Sequence, residues 1–97
     1  MDIQKDSRIT FKKEIFTSKG ENNFVILNYE TGIYLGLDEM GAMFWELLKR
    51  FEELQVIVNH VINEYEVEED QVWQDLYRFI EKLVHHQIVT VNEHVKG

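Results

Sequence analysis

Thr31-Gly32-Ile33-Tyr34-Leu35-Gly36-Leu37-Asp38 is the stretch on which the reading of this chain turns. Glu30-Thr31-Gly32 carries a turn signal, because Gly32 accepts the positive φ that strains other residues. Ile33, Tyr34, Leu35 and Leu37 are apolar residues of β-favouring type and predict a short strand. Asp38 can accept a hydrogen bond from the free N–H groups of a helix's first turn, so the strand is expected to end there. Upstream of this stretch the pattern reads as sheet. Downstream, until the last residues, it reads as helix.

Working back from it, Phe24-Val25-Ile26-Leu27-Asn28-Tyr29 is a continuous β-rich run that suits a central strand covered on at least one face. Ser18 to Asn23 is a turn by composition, and Ile9, Phe11, Ile15 and Phe16 predict one first strand with imperfect alternation. Three successive strands joined by short turns imply an antiparallel meander, with Ile33–Leu37 at an edge. Met1 to Arg8 and Asn92 to Gly97 are expected to fray.

Working forward, three helices follow. The first has its stripe at Met40, Met43, Phe44, Leu47, Leu48 and Phe51, with Trp45 off the stripe and small Gly41 and Ala42 admitting a close backbone neighbour. The second carries Leu54, Ile57, Val58, Val61, Ile62 and Tyr65, after a break near Arg50–Glu53. The third starts after Val67 with Glu68, Glu69 and Asp70 in its first turn, where the helix dipole favours acids. Its core stripe is Val72, Leu76, Phe79 and Leu83. A second apolar row, Trp73, Tyr77, Ile80 and Val84, stands beside it. At 100° per residue that row is rotated by about 80–100°, so the apolar face is wider than one core needs. Ile88 to Val91 reads as a short strand or as a segment packed back on the helices.

The fold class is therefore α+β, an N-terminal three-stranded antiparallel sheet and a C-terminal three-helix bundle. With 97 residues the chain is expected to be one domain, 1–97, with its ordered core at about 9–91. It has no cysteine, which excludes disulfides and thiolate metal sites. No apolar run nears the ~20 residues of a membrane span and no signal-peptide pattern opens the chain, so a soluble cytoplasmic protein is expected. The formal net charge is −8, from ten Lys and Arg against eighteen Asp and Glu, which argues against nucleic acid and anionic membranes as partners. Adjacent His85 and His86 diverge on a helix, while His60 and His94 stand apart, so no metal site is expected. There is no P-loop, no GxGxxG and no nucleophile motif; neither a cofactor nor catalytic residues are expected, and the chain reads as a non-enzyme.

The wide face of the third helix has two readings. In one, Trp73 and Tyr77 pack under the sheet or the C-terminal segment. In the other, the spare row and the open Ile33–Leu37 edge form a groove for an extended peptide, which takes affinity from free backbone groups and selectivity from side-chain pockets. Edge-to-edge pairing in a homodimer is another way to cover the same edge.

The residues also resemble a known family. Gly32-x-Tyr34-x-x-Leu37-Asp38-Glu39-x-Gly41 followed by Phe44-Trp45-Glu46-Leu47-Leu48 resembles the G-x-Y-x-x-L-N-x-T/G … W-x-L-L core of PqqD-like proteins. Glu64-Tyr65-x-Val67 with Val72-x-x-Asp75-Leu76-x-x-Phe79-Ile80-x-x-Leu83 resembles that family's later helix, and Gln87-Ile88-Val89 stands where the family has G-L-I/V. The likeness runs from about Asn23 to Val91, with Asp38 for the common Asn and Gln87 for the common Gly. It implies a winged-helix-turn-helix-like domain that binds the leader segment of a ribosomally made precursor peptide as an added strand, between the third strand and third helix. It also implies a partner enzyme to which the precursor is presented: a leader peptidase in the lasso-peptide type, or a radical-SAM maturase in the PqqD type. A winged-helix nucleic-acid-binding or dimerisation module is the remaining alternative. On this reading the peptide pairs along Ile33, Tyr34, Leu35, Gly36 and Leu37. Apolar contacts come from Trp73, Leu76, Tyr77 and Ile80, and polar contacts at the rim come from Asp75 and Arg78.

Overall fold

The computed structural model describes residues 3–21 and 23–92. In chain order the elements are β1 (Arg8–Phe11), β2 (Ile15–Lys19), β3 (Phe24–Asn28), β4 (Ile33–Leu37), α1 (Glu39–Arg50), α2 (Leu54–Glu64), α3 (Glu69–His85) and β5 (Val89–Asn92). The α+β class with three helices follows the pattern in the sequence. The sheet arrangement departs from it in one respect. The single first strand expected over Ile9–Phe16 is two strands in two different sheets: β1 pairs with β5, and β2-β3-β4 form the three-stranded meander. Lys12, Lys13 and Glu14 make the break, since three charged residues have no place in a half-buried strand, and the chain turns there. The β1–β5 pairing runs from Arg8 opposite Asn92 to Phe11 opposite Val89, and Lys12 N continues it by donating to Ile88 O at 3.0 Å.

That two-stranded sheet accounts for two further departures. Trp45, off the first helix's expected stripe, is 2% exposed because Phe11 of β1 covers it edge-on, with ring centroids 5.1 Å apart. Its indole N–H has no acceptor among the described residues. The N-terminal segment expected to fray is instead docked from residue 3: Ile3 packs against the core, and Ser7 is 1% exposed, with its Oγ accepting from Gln4 N. Residues 93–97, also expected to fray, lie outside the described residues.

The core is built from Ile26, Leu54, Ile57, Leu76, Ile80, Leu83 and Ile88, each at or near full burial. Burying an aliphatic side chain of this size stabilises by about 1.5–3 kcal/mol, so these contacts hold the helices to the inner face of the meander. α1 starts where the sequence places it: the Asp38 carboxylate accepts from Gly41 N at 2.7 Å. α3 ends in a Schellman turn, with Gln87 N donating to Val84 O at 3.0 Å and Ile88 N to Leu83 O at 2.9 Å. Gln87 sits at φ 58, the left-handed position that glycine takes most easily.

Candidate peptide-binding groove

In the meander the register pairs Ile26 with Leu35, Leu27 with Tyr34 and Asn28 with Ile33, which leaves β4 with one unpaired edge. Side chains alternate along β4: Leu35 is buried, Ile33 and Leu37 are half-buried, and Tyr34 and Gly36 are exposed. The first set faces the helices and the second faces outward, as the period of two requires.

Two contacts fix α3 beside this edge. At one end, the buried Asn28 side chain donates from Nδ2 to Gln87 O at 2.7 Å and accepts at Oδ1 from Glu30 N at 3.0 Å and Thr31 N at 3.1 Å. One residue thus shapes the β3–β4 turn and ties it to the end of α3. At the other end, a Cβ on Gly41 would stand 3.3 Å from the Phe79 ring and 3.4 Å from Leu37 Cβ, so α1, α3 and β4 meet closely there. α3 therefore runs opposite to β4. Between the start of α1 and α3, just past the Leu37 end of β4, opens a cleft of about 170 Å³, walled by Asp38, Gly41, Asp75, Arg78, Phe79 and Lys82. Arg78 pairs with Asp75 at 3.9 Å. Beyond Met40 and Phe44 the cleft meets an apolar hollow of about 290 Å³ that includes Met43, Val61, Tyr65, Val67 and Val72.

The residues singled out from the sequence separate into three groups. Ile33 to Leu37 lie along the open edge, and Asp75 and Arg78 stand in the cleft wall. Trp73, Leu76 and Ile80 are 3%, 0% and 0% exposed, in the core and away from the cleft. Tyr77 is half-buried against Trp73, with ring centroids 5.4 Å apart. Over Trp73 lies the N-terminal segment, whose Lys5 ammonium is 5.2 Å from the ring centre. The indole N–H of Trp73 donates to Glu69 at 3.2 Å. Burial first, and the nearby Asp6 charge second, push the Tyr77 hydroxyl above its usual pKa. The start of the spare apolar row, Trp73 and Tyr77, thus lies beside the chain's own N-terminal segment, and the cleft side of α3 is Asp75, Arg78, Phe79 and Lys82. Sequence reasoning did not single out Phe79 and Lys82 as cleft residues, although each stands four residues after a residue it did name, Phe79 after Asp75 and Lys82 after Arg78. Among the described residues no group of three His, Cys, Asp or Glu is placed to hold a metal ion, and no helix is long and apolar enough to cross a membrane.

A sheet with an open edge and a helix alongside is the geometry of strand-addition domains, which recognise extended segments through main-chain pairing. The family profile described as coenzyme PQQ synthesis protein D (PqqD) matches residues 23–89, so the chain belongs to the PqqD family. No curated protein matches the sequence. Among solved structures the chain is similar to "TbiB1 in Complex with the TbiA(beta) Leader Peptide", at 28% identity and TM-score 0.75, over 82% of this chain and 93% of that one. It shares its fold with "Lasso peptide synthetase B1 complexed with the leader peptide", at 20% identity and TM-score 0.77, over 84% of this chain and 96% of that one.

Proposed function

We propose that this protein is a non-catalytic recognition element that binds the leader segment of a ribosomally synthesised precursor peptide and presents it to a processing enzyme in natural-product biosynthesis. The leader adds as a fourth strand on the open edge of β4, with α3 as the facing wall. The observation that carries this reading is the unpaired edge Ile33–Leu37 beside the cleft of Asp75, Arg78, Phe79 and Lys82. The neighbour at 28% identity, solved with a leader peptide, supports the same occupant and the lasso-peptide type of pathway. The partner enzyme is then a leader peptidase, the protein works in the cytoplasm where precursors are made, and residues 1–97 act as one winged-helix-like domain. Binding needs no cofactor, since backbone pairing and side-chain contacts supply the affinity. The net charge of −8 disfavours a nucleic-acid role for the same fold.

The test is a fluorescence-polarisation titration of a labelled leader segment, from the precursor encoded beside this protein, with a duplex-DNA control. Saturable leader binding that survives moderate salt is expected. DNA binding that collapses with salt, together with no leader binding, would move the function to nucleic acid.

A further inference from the structure

The inference rests on the leader-binding reading and concerns what the leader must look like. A strand added to β4 inherits the register of the sheet, because cross-strand neighbours point to the same face. On the outer face, Phe16 of β2 stands opposite Leu27 of β3, and Leu27 opposite Tyr34 of β4. These three form one apolar row across the sheet, and Phe16 and Tyr34 are 61% and 68% exposed. The row ends at the open edge, so the next strand's residue opposite Tyr34 continues it. Opposite Gly36 the outer face is empty: a Cβ built on Gly36 meets nothing within 4 Å, which leaves room for a large neighbour.

The inward positions, opposite Ile33, Leu35 and Leu37, point to the helix side of the sheet, where α3 and the start of α1 wall the cleft. That wall carries two cations, Arg78 and Lys82, against Asp75 and the capping Asp38. Asp38 is engaged by Gly41 N and Asp75 by Gln71 and Arg78. Lys82 makes no ion pair among the described residues. The wall is balanced in charge, so Lys82, with the solvent-exposed Arg78 beside it, is the cation it offers to a ligand carboxylate.

We propose that the groove reads its peptide on both faces of the added strand: an apolar side chain opposite Tyr34 extends the row Phe16–Leu27–Tyr34, and carboxylates at the alternate, inward positions meet Lys82 and Arg78. Every strand neighbour in the meander is antiparallel. With the same sense, the leader runs in the direction of α3, and its residue opposite Leu37 precedes its residue opposite Tyr34 by three. The recognised segment is then a short run in which acidic and apolar residues alternate with period two, the apolar set including a bulky residue beside Gly36.

The experiment is a selection of random twelve-residue peptides displayed on bacteria, sorted for binding to the fluorescently labelled full chain. It is run for the natural sequence, for Tyr34→Ser and for the double variant Arg78→Glu/Lys82→Glu. Peptides from the natural protein should show acidic and apolar residues in strict alternation. Tyr34→Ser should lose the apolar preference at one outward position while keeping the acids. The double variant should exchange Asp and Glu for Lys and Arg at the inward positions, a reversal that misfolding cannot produce. Replacing one selected carboxylate by its amide should weaken binding to the natural protein about two- to fivefold, as expected of a partly exposed ion pair. Bound peptides without period-two patterning, or a charge preference that does not follow the reversal, would overturn the two-faced readout and leave leader binding standing. A selection that yields no binder would overturn both.

Discussion

Replacing Asn28 by Ala removes a side chain that joins the β3–β4 turn to the end of α3. Asn28 is 3% exposed and makes three side-chain hydrogen bonds, one donated to Gln87 O and two accepted from Glu30 and Thr31 N–H. Each such bond contributes about 1 kcal/mol net. Glu30 and Thr31 lie at the surface, so water takes over part of their loss, whereas the Gln87 carbonyl loses a partner contributed from 59 residues away. The expected cost is about 2 kcal/mol. For a domain of this size that lowers Tm by about 8–16 °C. Asn28→Asp is the sharper variant. It keeps the two acceptors but sets a carboxylate where the amide donor stood, 2.7 Å from a carbonyl oxygen. That site raises the new carboxyl's folded pKa above its unfolded value near 4. Its stability is then greatest at acid pH, where the protonated group can donate, and falls as pH rises through the raised pKa. Circular-dichroism melts of both variants from pH 4 to 8 measure this. A Tm loss below about 4 °C for Asn28→Ala would refute the argument, because it would mean that water satisfies the Gln87 carbonyl as well as the amide does.

Gln87→Gly should stabilise the fold by about 0.5–1 kcal/mol in a denaturant titration, since Gln87 holds φ 58 and glycine takes that conformation without the left-handed penalty. Trp73→Ala should cost about 3–5 kcal/mol of stability by the same method, because the ring is 3% exposed under the N-terminal segment. The Tyr77 hydroxyl has a folded pKa raised by burial and by Asp6. Its contribution is therefore intact below the unfolded value near 10 and is lost as pH rises through the higher folded one. Alkaline unfolding should show this loss, and Tyr77→Phe should flatten it. Deleting residues 1–7 should lower Tm as well, since the deletion uncovers Trp73 and Tyr77; an unchanged melt would show that the segment does not hold that row in solution.

The β4 strand, the cap at Asp38 and the three helices were legible because each is written in local chemistry: a turn glycine, a β-favouring run, a side chain able to accept from a helix's first turn, and stripes at helical spacing. The family motifs lie in the same segments, which is why the resemblance and the residue-by-residue reading met at one edge. The groove's wall was less legible. The apolar row Trp73, Tyr77, Ile80 and Val84 shows that something apolar lies against that face of α3, but its spacing is the same whether the cover is a ligand or the chain itself. Over Trp73 at its start lies the segment around Lys5, more than sixty residues away in sequence.

By itself, the sequence determined the strands Phe24–Asn28 and Ile33–Leu37, the three helices and where α1 begins. Those properties depend on residues within a few positions of one another. Only the tertiary structure decided that β1 leaves the meander to pair with β5, that Trp45 and Trp73 are core, and that Arg78, Phe79 and Lys82 wall a cleft with the start of α1. Each of those outcomes joins residues far apart in the chain. Which partner buries an apolar surface is settled by competition among all the apolar surfaces at once, because the hydrophobic effect rewards area removed from water without regard to what removes it.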